Sequence, residues 1–80
     1  MKKIKSLKEF EVGKKYLFTC LGNKSIGIAT HIEKGFVNFK IYQSTYNELS
    51  PGTVCHVDES SFKDGKSYLL TENEFRVEIL

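Results

Sequence analysis

The thiols and imidazoles of this eighty-residue chain, the groups readiest to act near neutral pH as nucleophile, base or soft metal ligand, are Cys20, Cys55, His31 and His56. A thiol attacks as its thiolate, which a neighbouring imidazole helps to form, so Cys20 with His31 or Cys55 with His31 is the pairing such chemistry would need. Nothing in the spacing favours it. Neither histidine stands in an HExxH pattern, no Cys-x-x-Cys occurs, and Cys55 and His56 are adjacent, which on a strand turns them to opposite faces. Gly13-Lys14 lacks the glycine spacing of a phosphate loop, and no two carboxylates share an apolar setting. The expectation is a chain with no catalytic residues, no metal and no cofactor, whose two cysteines are reduced and packed as small apolar fillers.

Aromatic and basic residues point instead to binding. Tyr16, Phe18 and Tyr42 are expected around Gly27 and Ala29 on one sheet face, rimmed by His31, Asn38 and Lys40. Rings beside cations form a platform on which unpaired bases stack, or an anchor for a protein interface. The competing arrangement has the N-terminal segment folded over this face, with Leu7 and Phe10 covering Tyr16 and Phe18. Lys2, Lys3, Lys5 and Lys8 would add phosphate contacts to a nucleic-acid surface, or else form a solvated tail. Tyr46 lies in the longest turn-like stretch, 44–52, either as a partner contact or as a cap on the end of the fold.

The elements that must position these residues have a period of two. Lys14 to Leu21, Ser25 to Glu33 and Phe36 to Gln43 are rich in β-branched and aromatic residues and are separated by Gly22-Asn23 and Glu33-Lys34-Gly35, which predicts a three-stranded meander. An unbroken second hairpin sets His31 against Asn38, Ala29 against Lys40 and Gly27 against Tyr42. The opposite face, with Ile26, Ile28, Ile32, Val37, Phe39 and Ile41, then becomes the core. Thr53 to Asp58 reads as a fourth strand, and Lys66 to Thr71, after an Asp64-Gly65 turn, as a short strand or an irregular turn. Glu74 to Leu80 alternates Phe75, Val77 and Ile79 with charged residues. Ahead of them Ser6, with Glu9 three residues on, predicts a short helical or 3-10 turn over Ser6 to Val12.

Five or six short antiparallel strands in one small domain close most economically as a bent sheet, so the expected fold is mainly β, a single small barrel spanning 1–80, with 1–13 as a basic N-terminal segment. From Val12 to Leu80 the layout resembles small barrels of the Src homology 3-like or Tudor-like kind. It is less similar to the oligonucleotide-binding (OB-like) barrel, which carries a helix between its third and fourth strands. The resemblance is one of architecture and implies no activity.

Charge is divided along the chain. Residues 1–40 carry nine lysines against three glutamates, a balance of +6, and residues 41–80 carry three bases against seven acids, a balance of −4. Such a field orients docking on a protein or attracts a polyanion, and a pI near 8.5 is lower than a dedicated nucleic-acid binder needs. No apolar run approaches the ~20 residues that cross a bilayer, and no leader-like apolar stretch follows the first lysines, so a cytoplasmic protein without membrane contact is expected. The lysine-rich, arginine-poor composition suits an AT-rich genome and a phage or other mobile element. The functional expectation is a non-enzymatic module that binds a host protein as a modulator or inhibitor, with single-stranded DNA or RNA binding as the alternative. The last strand, running to the terminus, offers an edge for a homodimer.

Overall fold

The computed structural model describes residues 2–45, 50–63, 66–68 and 74–80. Their strands are β1 (Lys15–Cys20), β2 (Asn23–Glu33), β3 (Phe36–Ser44), β4 (Val54–Asp58), β5 (Phe62–Lys63), β6 (Lys66–Tyr68) and β7 (Glu74–Ile79). All lie in one antiparallel sheet, ordered β4-β3-β2-β1-β7-β6-β5, which curls into a half-barrel and confirms the small mainly-β fold. A 3-10 turn at Glu59–Ser61 joins β4 to β5. Tyr46 and the Asp64-Gly65 turn lie outside the described residues.

The first hairpin turns one residue earlier than expected. Leu21 and Gly22, both with positive φ (49° and 82°), form a two-residue loop that closes on the Cys20–Asn23 pair. A loop of this length needs two left-handed residues to match the twist of its strands. Gly22 fills the second position, so the first falls to Leu21. Tyr16 therefore lies opposite Gly27, and Phe18 opposite Ser25.

The second hairpin pairs Glu33 with Phe36, Ile32 with Val37 and His31 with Asn38, as the spacing predicts, and then breaks register. Thr30 is an extra residue on β2, so Ala29 meets Phe39, Ile28 meets Lys40 and Gly27 meets Ile41. Tyr42 is the compensating extra residue on β3, after which Ile26 meets Gln43 and Ser25 meets Ser44. A bulge adds one residue to one strand, and with a side-chain period of two it exchanges the faces beyond it. Between the two bulges Gly27 and Ala29 turn inward.

This corrects the expected core. Val37, Phe39 and Ile41 are buried as expected, but Ile26 and Ile28 are only half-buried on the outer face and Ile32 is 38% exposed beyond the core. Tyr16 is fully buried, Phe18 packs against the core, and β7 contributes Phe75 and Val77. The inward row of β2 is small, which leaves room for rings. The Phe18 ring stands edge-on to Phe39 at 4.9 Å between centroids, in the space that Gly27 leaves open.

The N-terminal segment completes the core. The N–H of Ile4 donates to the carbonyl of Val77 (2.7 Å) and the N–H of Ile79 to that of Lys2 (2.8 Å), so residues 2–4 run beside β7. A 3-10 turn at Leu7–Glu9 follows, where the Glu9 carboxylate accepts the N–H groups of Lys5 (2.7 Å) and Ser6 (2.9 Å). The turn delivers Phe10 edge-on to Tyr16 (4.9 Å) and Phe39 (5.1 Å). β7 is thus flanked by β1 on one side and by β6 and residues 2–4 on the other. It lies inside the sheet, so the C-terminal strand is not the edge through which a homodimer was expected to form.

Candidate functional site

Of the residues expected on a binding face, the sheet divides the aromatic ones. Tyr16 and Phe18 face the core, and the Tyr16 hydroxyl accepts the N–H of Glu11 at 2.7 Å, tying the incoming segment to the ring beneath it. Leu7 and Phe10 cover this side, so the platform of three rings does not form. Tyr42, Lys40, His31 and Asn38 do lie on the outer face. The backbone around Lys2, Lys3 and Lys5 is engaged by β7 and by Glu9, while the side chains of these lysines and of Lys8 are exposed.

The outer face has an apolar centre that sequence spacing assigned to the core. One cross-strand row reads Lys15, Ile28, Lys40, Val54 from β1 to β4, and the neighbouring row reads Glu78, Leu17, Ile26, Gln43 from β7 to β3. Tyr42 stands between the rows as the bulged residue, 55% exposed, and the Lys15 ammonium lies 4.5 Å from its ring centre. That placement neutralises little of the charge and holds the ring against the sheet. Val54, 65% exposed, ends the first row. Leu17, Ile26 and Ile28 are half-buried on this face. The result is a patch of aliphatic and aromatic surface rimmed by Lys15 and Lys40.

Leu17, Ile26, Ile28, Lys15 and Val54 were missed by the sequence reading. The available signal was the glycine within β2 and the alanine two residues on, since a strand-interior glycine often marks a bulge or a close backbone approach.

The groups with catalytic potential are separated by the same sheet. Cys20 pairs with Phe75 and Cys55 with Phe39, which puts both thiols on the core side, and burial pushes the Cys55 thiol above its ordinary range. His31 and His56 flank Asn38 on the outer side, where Nε2 of His31 meets the Glu33 carboxylate at 2.8 Å. No thiol therefore meets an imidazole. Among the described residues, no three of His, Cys, Asp and Glu gather as a metal site and no helix is long and apolar enough to cross a membrane. No protein-family model, curated protein or solved structure matches the chain.

Proposed function

We propose that this chain is a non-enzymatic binding module that docks another protein on the outer face of β1–β4. The observation that carries the reading is the exposed Tyr42 and Val54 beside Leu17, Ile26 and Ile28, with Lys15 and Lys40 at the rim. An aromatic ring held in place by its neighbours costs little conformational entropy on binding, and flanking lysines steer toward a partner that presents carboxylates around an apolar spot. The small curled sheet, which we read as a layout of the Src homology 3-like or Tudor-like kind, suits a rigid carrier of such a face. A small cytoplasmic modulator or inhibitor of a host protein, of the kind a phage or mobile element encodes, fits the composition.

The test is affinity capture by the wild-type chain and by a Tyr42→Ala/Val54→Ser variant, with binding of the captured protein then measured by calorimetry. The expected result is a stoichiometric protein that the variant loses by at least tenfold. A partner held equally by both, or no stoichiometric protein at all, refutes the reading. Nucleic-acid binding has lost two of its three stacking rings to the core. Anisotropy with a labelled single-stranded oligonucleotide at ~50 mM salt, where the phosphate term is large, measures what remains.

A further inference from the structure

The two ends of the sheet are unequal. β5 is two residues long, whereas β4 presents five residues, Val-Cys-His-Val-Asp, that pair with β3 from Lys40–Val54 to Phe36–Asp58 without a register break. Edge strands are ordinarily guarded by lysine, proline, a bulge or brevity. β4 has none of these.

Its backbone direction follows from two hydrogen bonds. The carbonyl of Thr53 accepts the N–H of Ile41 (2.8 Å), and the N–H of Glu59 donates to the carbonyl of Gly35 (3.2 Å), so odd-numbered residues aim their backbone groups at the β2–β3 side. By alternation Val54, His56 and Asp58 aim theirs away from β3, and their side chains share the outer face. The edge is also electrically polar. At the Val54 end the neighbouring residue in the row is Lys40, with Lys15 beyond Ile28. At the other end Asp58 is followed by Glu59, with Glu33 in the same row through Phe36. The Ser60 hydroxyl bonds the Asp58 carboxylate and keeps it ionised below the usual range.

We infer that β4 pairs antiparallel with β4 of a second copy of this chain, about a two-fold axis at His56. In that register Asp58 of each copy lies opposite Val54 of the other, with Lys40 beyond Val54 at about 9.6 Å along the backbone row, so the acidic end of each edge faces the basic end of the other. A parallel pairing would set the two acidic ends together. An interface of this kind is self-complementary, as a two-fold dimer requires. It continues each outer face into its mate; it shares Val54 and Lys40 with the docking face proposed above but does not use Tyr42, so Tyr42→Ala separates the two readings.

Sedimentation equilibrium of the full chain up to about 0.5 mM, where even a Kd of ~1 mM leaves a measurable dimer, tests it. The expected result is a monomer–dimer equilibrium that His56→Pro abolishes. The fold tolerates that proline because the lost N–H points away from β3. Asp58→Lys weakens the dimer by about tenfold, and Lys40→Asp added to it restores affinity, as expected for a charge pair across an interface. Should His56→Pro fail to fold, His56→Cys gives the second measurement. Opposed hydrogen-bonded residues sit about 5.5 Å apart at Cα, so mild oxidation links two chains through position 56. Tyr42→Ala leaves the dimer intact even where it abolishes partner capture. A monomer at every concentration, a dimer indifferent to Asp58→Lys, or no linkage through residue 56 overturns the inference.

Discussion

Phe10→Ala tests whether the N-terminal segment belongs to the core or merely precedes it. Phe10 is 4% exposed and meets three rings edge-on, Tyr16 at 4.9 Å, Phe39 at 5.1 Å and Phe62 at 6.2 Å. Removing a buried phenyl ring loses its transfer free energy and leaves a cavity that rings on a sheet cannot collapse to fill, together about 3–5 kcal/mol. A chain of eighty residues has roughly 4–12 kcal/mol in total. The variant should therefore lose at least about a quarter of its stability, with its urea midpoint lowered in proportion. Chemical denaturation followed by circular dichroism reads the change directly. Tyr42→Ala is the internal control, because it removes an exposed ring of similar size and should cost no more than about 1 kcal/mol, most of it the Lys15 contact. If Phe10→Ala costs no more than Tyr42→Ala, the segment is a solvated tail. Tyr16 and Phe18 are then open to a ligand, and the assignment of inner and outer faces fails with them.

Four further outcomes follow from the same geometry. Gly27→Val should destabilise by about 2 kcal/mol or more in thermal unfolding, since a Cβ there already stands 3.3 Å from Phe18 and from Phe39 and two methyl groups would displace the rings. Leu21→Asn should raise stability by about 1 kcal/mol, because Leu21 is 75% exposed and held at φ 49°, a conformation that asparagine adopts more easily. Deleting Thr30 should unfold the chain while Thr30→Ala changes stability by less than about 0.5 kcal/mol; its side chain makes only a 3.4 Å bond to the Asn38 carbonyl, but its backbone sets the register, and equal stability of the two variants would refute the bulge. Cys55 should react slowly with iodoacetamide at neutral pH. Its folded pKa is raised above 9.0 by burial, so the protonated thiol's contribution to stability is complete below pH 9.0 and is lost as pH rises through the folded value; modification at a free-cysteine rate at pH 7 would contradict this.

The strands were legible because their period of two is a local property, and Glu74–Ile79 is the plainest case, with Phe75 and Val77 buried between Glu74, Arg76 and Glu78. The 3-10 turn at Leu7–Glu9 was legible for a similar reason, since Glu9 alone accounts for two otherwise unpaired N–H groups. Partner strands were not. The place of β7 between β1 and the first residues of the chain depends on pairs as far apart in sequence as Cys20 with Phe75 and Lys3 with Glu78, and a strand at the end of a sequence carries no mark of lying inside a sheet. The face of β2 was misread for a sharper reason. Isoleucines at 26, 28 and 32 are more apolar than glycine and alanine at 27 and 29, so hydropathy favours the wrong side. The fold is decided by volume, because Phe18 and Phe39 fill what Gly27 vacates.

The same volume argument explains why an apolar surface persists on the outside. Phe10, Tyr16, Phe18 and Phe39 occupy the interior, and the bulge at Thr30 on their own strand turns Ile26 and Ile28 outward as a pair. A chain under no demand for that surface would carry threonine or lysine there, as β1 does at Thr19 and β7 at Arg76, which are paired with each other on the same face. The aliphatic residues instead lie beside Lys15, Lys40 and Tyr42, and the row through Ile28 passes Lys40 to end at Val54 on the β4 edge. Contact with another chain is the use we propose for both features. The Tyr42 face favours a partner with carboxylates around an apolar spot, and the β4 edge, positive at one end and negative at the other, favours its own copy.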